Sequence, residues 1–173
     1  MILTGLLERH AKRIERVCTS ISKHLSSRLY EFAPGNPYMG RFYLVQRDKI
    51  PEVLQDYIPG VCLNYFFRGD ADVELHSHPW RIALSVILTN GYTEERRTAR
   101  GILRRVFRPG SINIIRSSDY HRVELINPSR GAWTLFFTWD RVQEDWDFWH
   151  PQTGNRTPWE QFVDERARSF VTH

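Results

Sequence analysis

The chain has 173 residues, 41% of them hydrophobic and 25% charged, with a formal net charge of +4. That is the size and make-up of one globular domain, and it excludes a collagenous, low-complexity or intrinsically disordered chain. Two cysteines are too few for a disulfide framework, and no stretch approaches the ~20 apolar residues of a membrane-spanning helix, so a soluble, cytoplasmic protein is expected.

In chain order, the first predicted element is an amphipathic helix over 6–30. Leu6, Leu7, Ile14, Val17, Ile21, Leu25 and Leu29 keep close to the i, i+3/i+4 rhythm, with Arg9, Lys12, Arg13, Arg16, Lys23 and Arg28 between them. Its basic face is expected in water; a homodimer contact or an anionic partner is the alternative. The run Ala33-Pro34-Gly35-Asn36-Pro37 ends it.

The period then changes to two. Short β-prone runs are expected at 41–45, 61–67, 73–78, 82–88, 102–107, 111–115, 121–126 and 133–139. Turn signals such as Pro59-Gly60, Asn90-Gly91 and Pro109-Gly110 separate them. About eight short strands of this kind point to an antiparallel sandwich or barrel. A tail rich in Trp, with Pro151 and Pro158, is expected to wrap the barrel, with a short helix from Trp159 to about Phe170. The expected organisation is a helical arm at 1–35, a β-barrel at 36–145 and a packing tail at 146–173.

The chemistry lies in the strands. Glu74-Leu75-His76-Ser77-His78-Pro79-Trp80 puts two histidines at i and i+2, which on a strand share one face about 7 Å apart at the backbone. Inside a barrel both rings would point inward and could share a metal. A second segment, from Gly110 through an apolar strand to Tyr120-His121, could bring a third histidine opposite the pair.

These segments resemble the cupin superfamily over about residues 60–140. His76, His78 and Gly91 match its first motif, and Gly110 and His121 match its second at the standard spacing. The resemblance implies a mainly β, cupin-type antiparallel barrel (a jelly roll) that binds a metal through His76, His78 and His121. It also departs from the pattern. Ile82, Ala83 or Leu84 stands where a glutamate ligand would fall, Arg116 and Ser118 replace a proline and a glycine, and Leu125 stands where asparagine is common. What remains resembles the three-histidine sites of cupin oxygenases such as the thiol dioxygenases, with Glu94 as the nearby carboxylate that could join as a ligand. The order of motifs, including Trp133-Thr134-Leu135-Phe136 and Pro158-Trp159-Glu160-Gln161-Phe162, is similar to that of cupin-like proteins of bacteriophages and prophages. For a phage protein the host cytoplasm is the expected compartment.

The resemblance implies a divalent metal, Fe(II) in first place and otherwise Zn, Ni or Mn, and a small-molecule ligand in the barrel. Three functions are compatible: an Fe(II)-dependent oxygenase or dioxygenase, a non-catalytic metal- or ligand-binding accessory protein, and a metal-free isomerase of the sugar-nucleotide epimerase type. Arg81, Tyr92 and Arg116 are candidate substrate contacts, since arginine can clamp a carboxylate or phosphate in a fork. The arginines of Arg96-Arg97, Arg100, Arg104-Arg105 and Arg108 are expected on a solvated hairpin. A nucleic-acid surface there is less favoured, because no aromatic residue lies between Arg96 and Arg105 for bases to stack on.

Overall fold

The computed structural model describes residues 2–33, 35–70, 72–142 and 146–171. Two helices open the chain, α1 (Ile2–Arg9) and α2 (Ala11–Ser22). The helix therefore stops well short of residue 30. His24 and Leu25 close the last turn with bonds to Ile21 and Ser22, and β1 (Ser27–Ala33) follows. This strand forms a hairpin with β2 (Asn36–Val45), pairing Ser27 with Phe42 and Leu29 with Gly40. Leu25 and Leu29 continue the helical rhythm, but pairing of a segment that holds Tyr30 and Phe32 overrides it, since aromatic residues favour a pleated surface. Leu29 ends up on the exposed side.

The remaining strands are β3 (Gly60–Phe66), β4 (Leu75–His76), β5 (Trp80–Ile87), β6 (Tyr92–Thr98), β7 (Gly101–Phe107), β8 (Ile112–Arg116), β9 (His121–Leu125), β10 (Ala132–Arg141), β11 (Asp147–Trp149) and β12 (Arg156–Pro158). The helix α3 (Trp159–Val171) closes the chain. They form two antiparallel six-stranded sheets, β1-β2-β3-β10-β5-β8 and β12-β11-β4-β9-β6-β7. Of the twelve described strands, β1, β11 and β12 were absent from the sequence expectation, and β6 was expected only as an unbounded arm of the arginine hairpin. In β6 the run Glu94-Glu95-Arg96-Arg97 hides the alternation, because inward and outward positions alike are charged.

The inner faces meet in two apolar clusters: Ile87, Tyr92, Val123, Leu125 and Ala132, and Cys62, Ala83, Ile115 and Phe136. Outside the first sheet, Cys18 and Ile14 of α2 pack against Leu63 and Trp133, leaving Lys12, Arg13 and Arg16 exposed. Cys18 and Cys62 are buried free thiols. Gly91 makes the return from β5 to β6 with φ +98°, where an added Cβ would run into the Phe107 carbonyl. Only glycine adopts that conformation at little cost. The turn sends β6, and with it Glu94, back beside the histidine strand.

Candidate metal centre

The site begins with register. β4 lies between β11 and β9, and His76 pairs directly with His121 across the β4–β9 ladder. His78 lies just past the end of the two-residue β4, yet its ring turns to the same place. The ring centroids are 5.0 Å apart for His76–His78, 4.9 Å for His76–His121 and 5.0 Å for His78–His121. One ring nitrogen from each histidine lies within 4.8 Å of the others. His78 Nε2 and His121 Nε2 are 2.8 Å apart. Two nitrogens bound to one ion at about 2.1 Å each, at a right angle, would be about 3.0 Å apart, so the pair is already near that spacing.

Asp147, in the tail, ties the two histidine segments together. Its backbone and carboxylate bind Ser77, which sits between His76 and His78: Ser77 N–H donates to the Asp147 carbonyl (2.9 Å) and Ser77 Oγ to Asp147 Oδ1 (2.7 Å). Asp147 Oδ2 accepts from the Tyr120 hydroxyl (3.0 Å), the residue before His121. Tyr120 thus faces away from its neighbouring histidine, as strand alternation requires. The tail also covers the site from outside. His76 meets the rings of Trp146 and Phe148, which stack in turn on Trp159 and Phe162.

Glu94 stands behind His121. It is fully buried, and its Oε1 lies 2.7 Å from His121 Nδ1. A carboxylate can only accept there, so His121 carries its proton on Nδ1 and leaves Nε2 unprotonated, its lone pair directed at the other two histidines. Arg96 donates to both carboxylate oxygens (2.8 and 3.1 Å) and Asn113 Nδ2 to Oε1 (2.8 Å). The Glu94 carboxylate thus reaches the site by orienting His121, and among the described residues the clustered donor set is the three histidines alone. Burial pushes the Glu94 pKa up, but hydrogen bonds from His121, Arg96 and Asn113 outweigh it and hold the group at about 2.

Burial lowers His76 to about 4, against the pull of Asp70, and takes His78 well below its ordinary value. Both rings are therefore neutral at pH 7, the form that binds a metal. The same shift sets a pH dependence in the metal-free protein. Below the ordinary value of 6.5 the unfolded chain takes up protons that folded His76 refuses until about 4. Stability is thus fully present above pH 6.5 and is lost as the pH falls from 6.5 towards 4, by on the order of 1–3 kcal/mol. Glu94 contributes nothing to that loss, since its own share fades only below about 4.5. Urea midpoints at pH 7 and pH 5 check this: the difference should shrink in His76→Leu, and an equal difference in that variant would contradict it.

The three candidate substrate contacts lie elsewhere. Arg81 is 69% exposed and pairs with Asp140 at 3.2 Å. Arg116 is exposed too, its backbone N–H bound by Asp119 Oδ2 (2.8 Å). Arg116 sits on an outward position of β8, whereas Arg81 has the parity of the inward Ala83 and Ser85 but lies in the open at the start of β5. Tyr92 is buried in the core, and its hydroxyl accepts from Asn113 Nδ2 (3.2 Å), one bond removed from Glu94. Arg96 is not a hairpin surface residue. Only 13% exposed, it bridges Glu94 and Asp119 (3.0 Å). Arg97 lies over the Trp149 and Tyr120 rings, while Arg100, Arg104, Arg105 and Arg108 are exposed. Of Ile82, Ala83 and Leu84, which stand where the cupin pattern has a glutamate, Ala83 fills the apolar cluster, and Leu125 does the same where that pattern often has asparagine.

Sequence reasoning missed Asn113, Asp119 and Asp147 as supports, and Arg41. The alternation Met39-x-Arg41-x-Tyr43 puts Arg41 on the inner face of β2, a signal that was available once that strand was extended N-terminally by two residues.

No family model and no curated protein matches this sequence. Among solved structures, an Fe(II) form of HppE aligns with a TM-score of 0.52 and 8% identity, over 68% of this chain and 57% of that one. HppE in complex with substrate gives the same TM-score over 68% and 58%. A variant of oxalate decarboxylase from Bacillus subtilis aligns with a TM-score of 0.51 and 14% identity, over 71% of this chain and 29% of that one. This chain therefore spans little more than half of the first two structures and under a third of the third. At these identities the likeness is one of fold alone, a mainly β, cupin-type architecture.

Proposed function

We propose that this chain binds one divalent metal ion, Fe(II) first, on His76, His78 and His121 and works as an oxygenase on a small molecule. The observation that carries the reading is the convergence of three ring nitrogens within 4.8 Å, one of them held in its metal-binding tautomer by Glu94. A bound ion with vacant positions would supply Lewis acidity and a place for O₂ and substrate to meet. The chain's own part is to keep His76 and His78 neutral, to aim His121, and to shield the centre with Trp146 and Phe148. Fe(II) bound by HppE, as its name states, lies on the same fold and supports iron over zinc, nickel or manganese.

A second reading, a metal- or ligand-binding accessory protein without turnover, is favoured by the apolar Ile82-Ala83-Leu84 standing where the cupin pattern has a fourth ligand. We place either activity in the cytoplasm, that of the host if a phage encodes the chain. Anaerobic loading with Fe(II), followed by metal analysis and oxygen consumption over mixtures of small metabolites, separates the two. The oxygenase predicts one iron per chain and oxygen uptake above that of His121→Ala. Bound iron with no uptake over any mixture would transfer the reading to the accessory protein, and no bound metal would sink both metal readings.

A further inference from the structure

Arginine is the most expensive side chain to enclose without a counter-charge, because its guanidinium stays protonated whatever surrounds it. Among the described residues two arginines, Arg41 and Arg96, are largely enclosed on the inner faces of the sheets, and they are treated differently. Arg96 is bound by two carboxylates, an amide oxygen and a backbone carbonyl. Arg41 has no carboxylate partner among the described residues. Its Nε donates to Asn64 Oδ1 (3.0 Å), and its Cζ lies over the rings of Trp80 (5.4 Å), Phe136 (5.4 Å) and Tyr30 (5.5 Å). Such ring contacts are worth only about 0.5–2 kcal/mol each. The outer guanidinium nitrogens are left without an acceptor among the described residues.

The position of this cation gives its vacancy a meaning. Trp80, which lies against Arg41, also stacks on His78 at 5.5 Å and 24°. One indole therefore joins the guanidinium to the candidate metal centre. Arg41, His76 and His78 all retain partial exposure, whereas His121 is buried. Asn64 pairs across the sheet with both Arg41 and Thr134, and the fully buried Thr134 hydroxyl also has no hydrogen-bond partner among the described residues. The inner face thus carries, in one cross-strand row, a forked cation and an unused hydroxyl. Three neutral imidazoles, moreover, would leave a divalent ion's charge uncompensated.

We infer that Arg41 is the recognition residue for an oxyanionic group, carboxylate or phosphate, on a small ligand that lies between β2 and the histidine centre. This rests on the metal reading for the ligand's other end, but not for the anion itself. The fork left free beside Asn64 suits two parallel N–H···O bonds, and the aromatic rings around it restrict the cation to that geometry. The ligand class is accordingly a small organic anion, whose charge would also offset that of a divalent ion held by three neutral imidazoles.

The test titrates acetate, inorganic phosphate and the neutral control acetamide into Co(II)-loaded and metal-free protein at pH 8, by calorimetry. Wild type, Arg41→Met, Arg41→Lys and the exposed control Arg81→Met are compared, with Co(II) content and thermal midpoint recorded for each. The expected result is binding of at least one anion and not of acetamide. Its affinity should fall roughly tenfold to a hundredfold in Arg41→Met, less in Arg41→Lys, and not at all in Arg81→Met. The preferred anion tells a carboxylate ligand from a phosphate one. Anion affinity equal in wild type and Arg41→Met, with folding and Co(II) content unchanged, would overturn the assignment, as would no anion binding by wild type. Should wild type fail to take up Co(II), the metal reading falls, while the metal-free titration still decides the role of Arg41.

Discussion

Glu94→Ala is expected to lower the unfolding free energy by about 3–5 kcal/mol, as removal of one partner from a buried ion pair does. Glu94 has no exposed surface, and four donor bonds converge on its two oxygens: two from Arg96, one from Asn113 and one from His121 Nδ1. Truncation leaves Arg96 with Asp119 as its only carboxylate, and it leaves His121 Nδ1–H with no acceptor. Glu94→Gln keeps the volume and one acceptor, so it should cost less than the alanine variant. The exposed Arg104–Glu124 pair supplies the comparison, since Arg104→Ala should change stability by no more than about 1 kcal/mol. Urea denaturation of the metal-free proteins measures all three. A Glu94→Ala cost no larger than that of Arg104→Ala would mean that the buried network is not what holds β6 against β8 and β9. Removal of a ligand's supporting carboxylate typically lowers metal affinity about 10–100-fold, which is expected of Glu94→Gln as well.

The same network shows where sequence reading stops. His76 and His78 were legible as a pair because metal ligands must be of few types and strand periodicity lets them share a face, and His121 was added by the second motif of the cupin resemblance. Their closing, however, is a long-range event. His76 meets His121 through a ladder between residues far apart in the chain, and Asp147 pins Ser77 and Tyr120 from the tail. Turns were legible too, since Gly91 and Gly110 at positive φ follow from local backbone sterics. β6 was not. Apolar alternation is the usual sign of a half-buried strand, and in Tyr92–Thr98 the inward positions after Tyr92 are Glu94 and Arg96. These charges are inside because they satisfy each other, and no single-residue preference encodes that. The helix end at Ser22 was missed for a related reason. Leu25 and Leu29 have the right spacing for a helix, but the partner strand that claims 27–33 lies on the far side of the hairpin turn. Arg81 and Arg116 were chosen for closeness in sequence to the histidines, whereas Arg41, from a strand before them all, is joined to His78 through Trp80.

Replacing a histidine ligand should have the largest effect of all. His78→Ala and His121→Ala are each expected to lower metal affinity by more than about a hundredfold, beyond the loss from a supporting residue. With three protein ligands and no nearby substitute among the described residues, a site missing one imidazole keeps only two donors. The two variants should nevertheless differ in the metal-free state. His121 is buried and donates to Glu94, so its loss removes one of the bonds that holds that carboxylate ionised at about 2. The remaining bonds from Arg96 and Asn113 should still keep Glu94 charged and the fold intact. His78 has no such tie to Glu94, and its ring lies between Trp80 and His121. Its removal also takes away the ring whose Nε2 sits 2.8 Å from His121 Nε2. Because Glu94 keeps the His121 proton on Nδ1, the proton in that contact belongs to His78 Nε2, and it must leave that atom before both nitrogens can face one ion. Metal content after anaerobic loading, read beside far-UV spectra and melting curves, separates ligand loss from unfolding. Folded variants with wild-type metal content would place the ion elsewhere. Folded variants without metal, together with the intermediate affinity expected of Glu94→Gln, would order the residues as the geometry does: histidines in contact with the ion, and Glu94 one hydrogen bond behind it.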